Sequence, residues 1–168
     1  MTDFLLKQLE RTNKWLLFSE TKNATLIAFN IAIGSALSNV YDKYQCAVSV
    51  ILFGIFCASL ISLISFFPNG SSDIKLSRDN KTSFSGNLNL TFWGDIIRGS
   101  DALQYISALQ SKYAIYPKGT ESKFLLLDLA KEIIINSHII KKKCKFFRWA
   151  LIVEFFTLVG MMAMLFIA

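Results

Sequence analysis

The stretch that decides the fold is residues 146–168, FFRWALIVEFFTLVGMMAMLFIA. A helix needs about 20 mostly apolar residues to cross the hydrocarbon core of a bilayer. This stretch is long enough, and Arg148 and Glu154 are its only charged residues. It is therefore predicted to be a transmembrane helix.

Two earlier segments, residues 24–40 and 46–67, are similarly apolar, and the short link between them predicts an antiparallel transmembrane hairpin over residues 23–67. Small residues recur at every fourth position in each, which lets helix backbones approach closely in lipid. A chance run of alanines is the alternative. These stripes consist of Ala24, Ala28, Ala32 and Ala36 in the first segment, and of Gly54, Ala58 and Ser62 in the second.

The composition agrees with an integral membrane protein. Of the 168 residues 53% are hydrophobic and 18% charged, whereas soluble domains have about 25% charged residues. The net charge of +6 indicates an orientation signal and contact with anionic lipid. Nucleic-acid binding is disfavoured because the basic residues are spread along the chain.

The basic residues also predict an orientation. Four precede the first segment, one (Lys43) lies in the hairpin link, and twelve lie between the second and third segments. By the positive-inside rule, the N-terminus and residues 68–145 are cytoplasmic and the protein is multi-pass.

The predicted fold is mainly α-helical, with three transmembrane helices and a small cytoplasmic helical bundle. Residues 1–22 are predicted to form a cytoplasmic amphipathic helix, and residues 68–145 a cytoplasmic sensing region. The partial alternation over residues 87–93 suggests a short β or extended segment. A further helix from about residue 121 contains no breaker and should continue into the third transmembrane helix, residues 146–168.

No sequence signature of an enzyme is present. The chain has one histidine, His138, no P-loop, and no hydrolase, kinase or zinc motif. Its cysteines, Cys46, Cys57 and Cys144, lack metal-binding spacing. We predict no catalytic residues, no metal site and no cofactor.

Two polar residues, Asn30 and Glu154, are predicted to be embedded in transmembrane helices. An ionisable group such as Glu154 is costly in a membrane and usually faces a bundle interior or water. One interpretation is a pore or subunit contact that matters when the protein opens. The other is a carboxyl group packed against Asn30 or serines.

The motif Trp93-Gly94-Asp95 allows two interpretations. In the first interpretation, Trp93 stacks on a ligand and Asp95 makes a polar contact with it. In the second, Trp93 is a buried core residue and Asp95 caps a helix. Asn136, on the long helix, is an ordinary polar position by itself.

Three blocks of the sequence resemble the Pycsar transmembrane effectors, the PycTM-like family. The first is Phe18-Ser19-Glu20-Thr21-Lys22-Asn23-Ala24 before an apolar helix with Asn30, although the family usually has Asp at the position of Glu20 and no residue between Lys and Ala. The second is Phe92-Trp93-Gly94-Asp95-Ile96. The third comprises Leu127, Leu129, Ala130, Glu132, Ile133, Asn136 and Ile139, followed by Lys142 or Lys143 and an apolar helix.

This resemblance implies an antiphage effector of the bacterial inner membrane. A partner nucleotide cyclase would make a cyclic pyrimidine mononucleotide, cCMP or cUMP, and the effector would bind it in the cytoplasm and impair the membrane. We expect a homo-oligomer. The expected ligand-binding residues are Lys22, Trp93, Asp95, Asn136 and Lys142, with Lys22 or Lys142 facing the phosphate.

Two other functions remain open. A membrane-anchored scaffold or adaptor would bind a cytoplasmic partner protein without a ligand. A holin-like pore would be toxic on expression alone, whereas a gated effector is tolerated until its cyclase is active.

Overall fold

The computed structural model describes residues 1–39, 41–42, 44–67, 88–99, 101–117, 119 and 121–167. These residues form five helices and no strand, so the predicted β or extended segment is not confirmed over the part of it that is described. The helices are α1 (Thr2–Ser38), α2 (Gln45–Ile64), α3 (Trp93–Ile96), α4 (Ala102–Tyr113) and α5 (Lys123–Ile167).

The chain divides into two compact units. Unit 1 comprises Met1–Leu17 and Pro68–Lys141, and unit 2 comprises Phe18–Phe67 and Lys142–Ala168. Helices α1 and α5 each contribute residues to both units. No Pro interrupts α5, which extends without a break over its 45 residues.

Unit 1 has a hydrophobic core built from the spacing of apolar residues on its helices. On α4, Ala102, Tyr105 and Leu109 recur every three or four residues and are buried. Asp101 caps this helix by accepting the backbone N–H of Leu103 at 3.1 Å. The residues that these side chains join in the core are Met1, Leu5, Leu90, Ile96, Leu126, Leu129, Ala130, Ile133 and Ile134.

Tyr105 also provides the core with a hydrogen bond. Its hydroxyl donates to the backbone carbonyl of Leu90 at 2.9 Å, and burial raises the pKa of the phenol. The pairing satisfies two polar groups that would otherwise be costly to bury. It therefore fixes the segment before α3 against α4.

Unit 2 has a buried face and a large apolar surface. Along α2 the buried residues recur at helical spacing, and they are Val48, Ile51, Ile55, Ala58 and Ser62. The intervening large side chains are exposed, for example Phe53 at 68%. Exposed contiguous apolar surface is unfavourable in water but suits lipid. Among the described residues, α2 and α5 are the two helices long and apolar enough to cross a membrane.

The apolar part of α1 is shorter. It extends over residues 24–38, which is 15 residues, before α1 ends. A third transmembrane helix is therefore not confirmed by length and composition. The alanine stripe of α1 is exposed, and Leu26 and Asn30 form the buried face of its apolar part, so the stripe makes no close helix contact among the described residues.

The small-residue stripe of α2 does mark a close approach. Ala58 and Ser62 are buried, and a Cβ atom added to Gly54 would overlap the side chain of Thr157 on α5. Only glycine leaves room for this contact, which is the reason that small residues favour helix packing in lipid.

Contacts within unit 2 define the directions of its helices. Contacts between α1 and α5 progress in the same direction, from Glu20 with Lys143 to Asn30 with Glu154. Contacts of α2 with α5 progress in the opposite direction, from Ser65 near Lys143 to Gly54 near Thr157. Helices α1 and α5 therefore run parallel to each other in unit 2, and α2 runs antiparallel to both.

Candidate functional site

The aromatic-Gly-Asp motif forms a hydrogen-bonded turn in unit 1. One oxygen of Asp95, Oδ2, accepts the backbone N–H of Asn89 at 3.0 Å, and Oδ1 lies 3.6 Å from Nε of Arg98. The backbone N–H and the hydroxyl of Thr91 donate to Oδ1 of Asn89 at 3.0 and 2.7 Å. The N-cap of α3 is Phe92, so Asp95 closes the preceding turn and does not cap the helix.

Trp93 lies beside this turn and is half-buried. Its ring centroid is 5.3 Å from that of Phe92, and its indole Nε1 is buried without a hydrogen-bond partner among the described residues. A buried donor without an acceptor is uncommon and unfavourable. A Cβ atom on Gly94 would overlap the Phe92 ring, which explains the glycine of the motif.

Asn136 lies elsewhere in unit 1, on α5. Its amide Nδ2 donates to Oδ1 of Asn13 on α1 at 3.0 Å, in an exposed position. The described contacts of Asn136 do not include Trp93 or Asp95. Asn136 therefore contacts α1, whereas Trp93 and Asp95 belong to the turn at α3.

The two predicted lysines belong to unit 2, and both are exposed. The Nζ atom of Lys22 lies 4.3 Å from the ring centroid of Phe18 and 5.6 Å from that of Phe147. Such distances permit cation–π attraction, which holds the Lys22 side chain against α5.

Unit 1 also contains an open cavity that the sequence did not indicate. Its volume is about 580 Å³, and it lies between α4 and the start of α5. This volume is within the range typical of small-molecule sites. None of the five predicted ligand residues lines it. The lining residues are Leu103, Gln104, Ile106, Ser107, Gln110, Pro117, Glu121, Lys123, Leu126 and Leu127.

The polar groups of this cavity are of several kinds. Gln104 and Gln110 bring carboxamides, Lys123 brings a cation, and Glu121 is already engaged by the Met1 amine at 2.9 Å. Because amides and a cation can recognise a base and a phosphate, the lining is compatible with a nucleotide. Both glutamines lie on the polar side of the amphipathic helix α4, where polar residues are ordinary. Their presence in the sequence therefore does not indicate a binding site.

A polar cluster joins the three helices of unit 2. In the amide orientation that satisfies both neighbours, the nitrogen of Asn30 donates to the Glu154 carboxyl oxygens at 3.1 and 3.0 Å. The Asn30 oxygen accepts from the Ser59 hydroxyl at 3.0 Å. Asn30 is 1% and Glu154 is 3% exposed. In this structure the carboxyl group is packed against Asn30, so the cluster connects α1, α2 and α5.

A second polar connection in unit 2 involves Lys143, which the sequence did not distinguish from its neighbouring lysines. Its ammonium group lies 3.1 Å from Oε1 of Glu20 and donates to the Ser65 carbonyl at 2.9 Å. Lys143 is only 6% exposed. A buried charge needs such partners, and here they come from α1 and from the end of α2.

Comparison with known proteins adds one finding. A family model described as the Pycsar effector protein domain matches residues 4–168. The match includes both units and every predicted site residue. Comparisons with curated proteins and with solved structures gave no match.

Proposed function

The chain belongs to the Pycsar effector family, and we propose that it binds a cyclic pyrimidine mononucleotide, cCMP or cUMP, and then impairs the bacterial inner membrane. As a Pycsar effector it acts in antiphage defence. A partner cyclase supplies the nucleotide during infection. The observation that carries this proposal is the match over residues 4–168, because it includes the polar unit 1 and the apolar unit 2.

The proposed topology has three transmembrane helices, with the N-terminus and residues 68–145 in the cytoplasm. Support comes from unit 2, where α1 and α5 run parallel and α2 antiparallel, as alternate crossings require. Basic residues are concentrated on the predicted cytoplasmic side. The expected homo-oligomer stays a prediction.

We place the nucleotide on unit 1, at one of two positions. The first comprises the unit 1 members of the predicted site, where Trp93 stacks on the base and Asp95 or Asn136 makes polar contacts; Lys22 and Lys142, the predicted phosphate contacts, belong to unit 2. The second is the cavity, where Gln104 and Gln110 face the base and Lys123 faces the phosphate. The volume of the cavity favours the second position, and the unpaired indole N–H of Trp93 favours the first.

Helix α5 provides the physical link between sensing and membrane damage. It begins at the cavity in unit 1 and continues as the apolar helix of unit 2. By linkage, the nucleotide must bind the membrane-damaging state better than the resting state. In the structure, Asn30 and Lys143 make contacts that hold α5 to α1, and we assign these contacts to the resting state.

Thermal unfolding of the full chain in nanodiscs tests the proposal. We expect cCMP or cUMP to raise the unfolding temperature, since a ligand at 100 times its Kd stabilises a protein by about 2.7 kcal/mol. cAMP should have a smaller effect. If no cyclic nucleotide changes the unfolding temperature, the adaptor function is favoured instead.

Variants then locate the site. Trp93→Ala with Asp95→Asn should abolish the thermal shift if the predicted site is correct, and Gln104→Ala with Lys123→Gln should do so if the cavity binds the nucleotide. The thermal shift of Asn136→Ala is measured separately to test the contribution of this residue. Lys131→Gln is the control, because Lys131 is exposed and, among the described residues, its ion pair is with the exposed Asp128. Charge reversal at Lys22 or Lys142 tests the predicted phosphate contact.

A further inference from the structure

Two cationic side chains of unit 2, one on α1 and one on α5, lie near the same segment of α5. The ammonium group of Lys22 is 4.3 Å from the ring centroid of Phe18 and 5.6 Å from that of Phe147, which directly precedes Arg148 on α5. Cys144 lies about one helical turn before Arg148. We call these five residues the Lys22–Arg148 patch.

The cations of this patch lack an acidic counterpart. Within the described part of the chain, neither Lys22 nor Arg148 forms an ion pair with a carboxylate. Glu20 precedes Lys22 by two residues but pairs with Lys143. Two like charges held near each other repel, and an anion between them would offset that repulsion.

The chemistry of the patch suits a phosphate group. Arginine forms bidentate hydrogen bonds with phosphate oxygens, and lysine adds a compact positive charge. Both side chains are exposed, so a headgroup can reach them. The phenylalanine rings at the edge of the patch are apolar, which suits the glycerol and upper acyl region of a lipid more than bulk water.

The position of the patch on α5 identifies the source of the phosphate. Trp149 follows directly and is 53% exposed, as residues at a membrane interface often are. The exposed apolar residues Leu151, Ile152, Phe155 and Phe156 come next along the helix. The patch thus lies where the apolar part of α5 begins, at the level of lipid headgroups.

We propose that the Lys22–Arg148 patch binds the phosphate of an anionic phospholipid in the cytoplasmic leaflet. The bound headgroup bridges α1 and α5 and stabilises their parallel packing at the membrane surface. This inference rests on the proposed placement of unit 2 in the bilayer, and it does not depend on nucleotide binding.

Native mass spectrometry of the full chain tests the proposal. Protein is released from mixed micelles that contain equal amounts of phosphatidylglycerol and phosphatidylcholine, and the retained lipids are counted. We expect phosphatidylglycerol to be retained preferentially. Lys22→Gln with Arg148→Gln should lower phosphatidylglycerol affinity about 30-fold, since each basic residue near an anionic surface contributes about a factor of five.

The matched control is Lys7→Gln with Lys131→Gln, which removes the same charge from exposed positions of unit 1. It should leave phosphatidylglycerol retention unchanged, and Lys22→Arg should preserve it. Equal retention of both lipids, or equal loss in the control, would overturn the proposal.

Competition experiments distinguish a lipid phosphate from free phosphate and from a nucleotide phosphate. Inorganic phosphate and cCMP are each added to the phosphatidylglycerol complex. Persistence of the lipid supports the proposal. Displacement by cCMP, together with loss of the cCMP thermal shift in the Lys22 and Arg148 variant, would instead assign the patch to the nucleotide. If cCMP never shifts the unfolding temperature but the lipid preference remains, only the proposed function fails.

Discussion

Asn30 and Glu154 form the most buried polar contact in unit 2 that links α1 to α5. An ionisable group in an apolar unit is stable only when its oxygens are satisfied, and here one carboxamide satisfies both. The sequence identified both residues as membrane-embedded and left two interpretations of Glu154 open. Their pairing could not be predicted, because residues 30 and 154 are distant in sequence and their contact depends on how the helices pack.

We expect Asn30→Leu to lower the free energy of unfolding by about 1–2 kcal/mol, because the Glu154 carboxyl group loses its donor. Asn30→Leu with Glu154→Leu should recover most of this loss, since no unsatisfied polar group then remains. The measurement is reversible unfolding of the detergent-solubilised protein. Ser49→Ala is the control, because the hydroxyl of the exposed Ser49 donates to the Gln45 carbonyl of its own helix. A double variant less stable than the single one would contradict the assigned pairing.

At the scale of the helices, the closest approach in unit 2 is that of α2 to α5 at Gly54. Gly54→Ala should destabilise the protein by about 1–3 kcal/mol, because the new methyl group overlaps Thr157 and separates the helices. Thr157→Ala in the same chain should restore part of this stability. Thermal unfolding in nanodiscs measures both effects.

Gly160 offers a matched control on α5. Apart from its own helical turn, no described atom lies within 4 Å of its Cβ position, so Gly160→Ala should not destabilise the protein, and the higher helix propensity of alanine should raise stability by up to about 1 kcal/mol. Equal destabilisation by both alanines would contradict the assigned contact, because helix propensity favours alanine at both positions.

The observed helices show which of their features can be predicted from the sequence. The apolar run and the absence of a breaker indicated the long α5. The four alanines of α1 share a stripe, but periodicity does not specify which stripe of an apolar helix is buried when all of its faces can contact lipid. Likewise, composition does not distinguish the buried Lys143 from the exposed Lys142. Which lysine is buried depends on the positions of its partners, Glu20 and Ser65, in the folded protein.

At the scale of the whole molecule, unit 1 can influence unit 2 through two shared helices, α1 and α5. Helix α5 leaves unit 1 at Lys141 and enters unit 2 at Lys142. Proline within a helix removes one backbone hydrogen bond and introduces a kink, at a cost of about 3 kcal/mol or more. Lys141→Pro should therefore interrupt α5 between the two units while each unit keeps its own contacts.

We expect the Lys141→Pro variant to retain the thermal shift with cCMP or cUMP, since the proposed nucleotide positions lie in unit 1. Nucleotide-dependent leakage of dye from liposomes that contain the variant should be lost. Lys141→Ala removes the same charge but preserves the helix, and it should keep both responses. If Lys141→Pro leaks dye with nucleotide as Lys141→Ala does, continuity of α5 is not required. Binding must then reach the membrane through the other helix shared by the two units, α1.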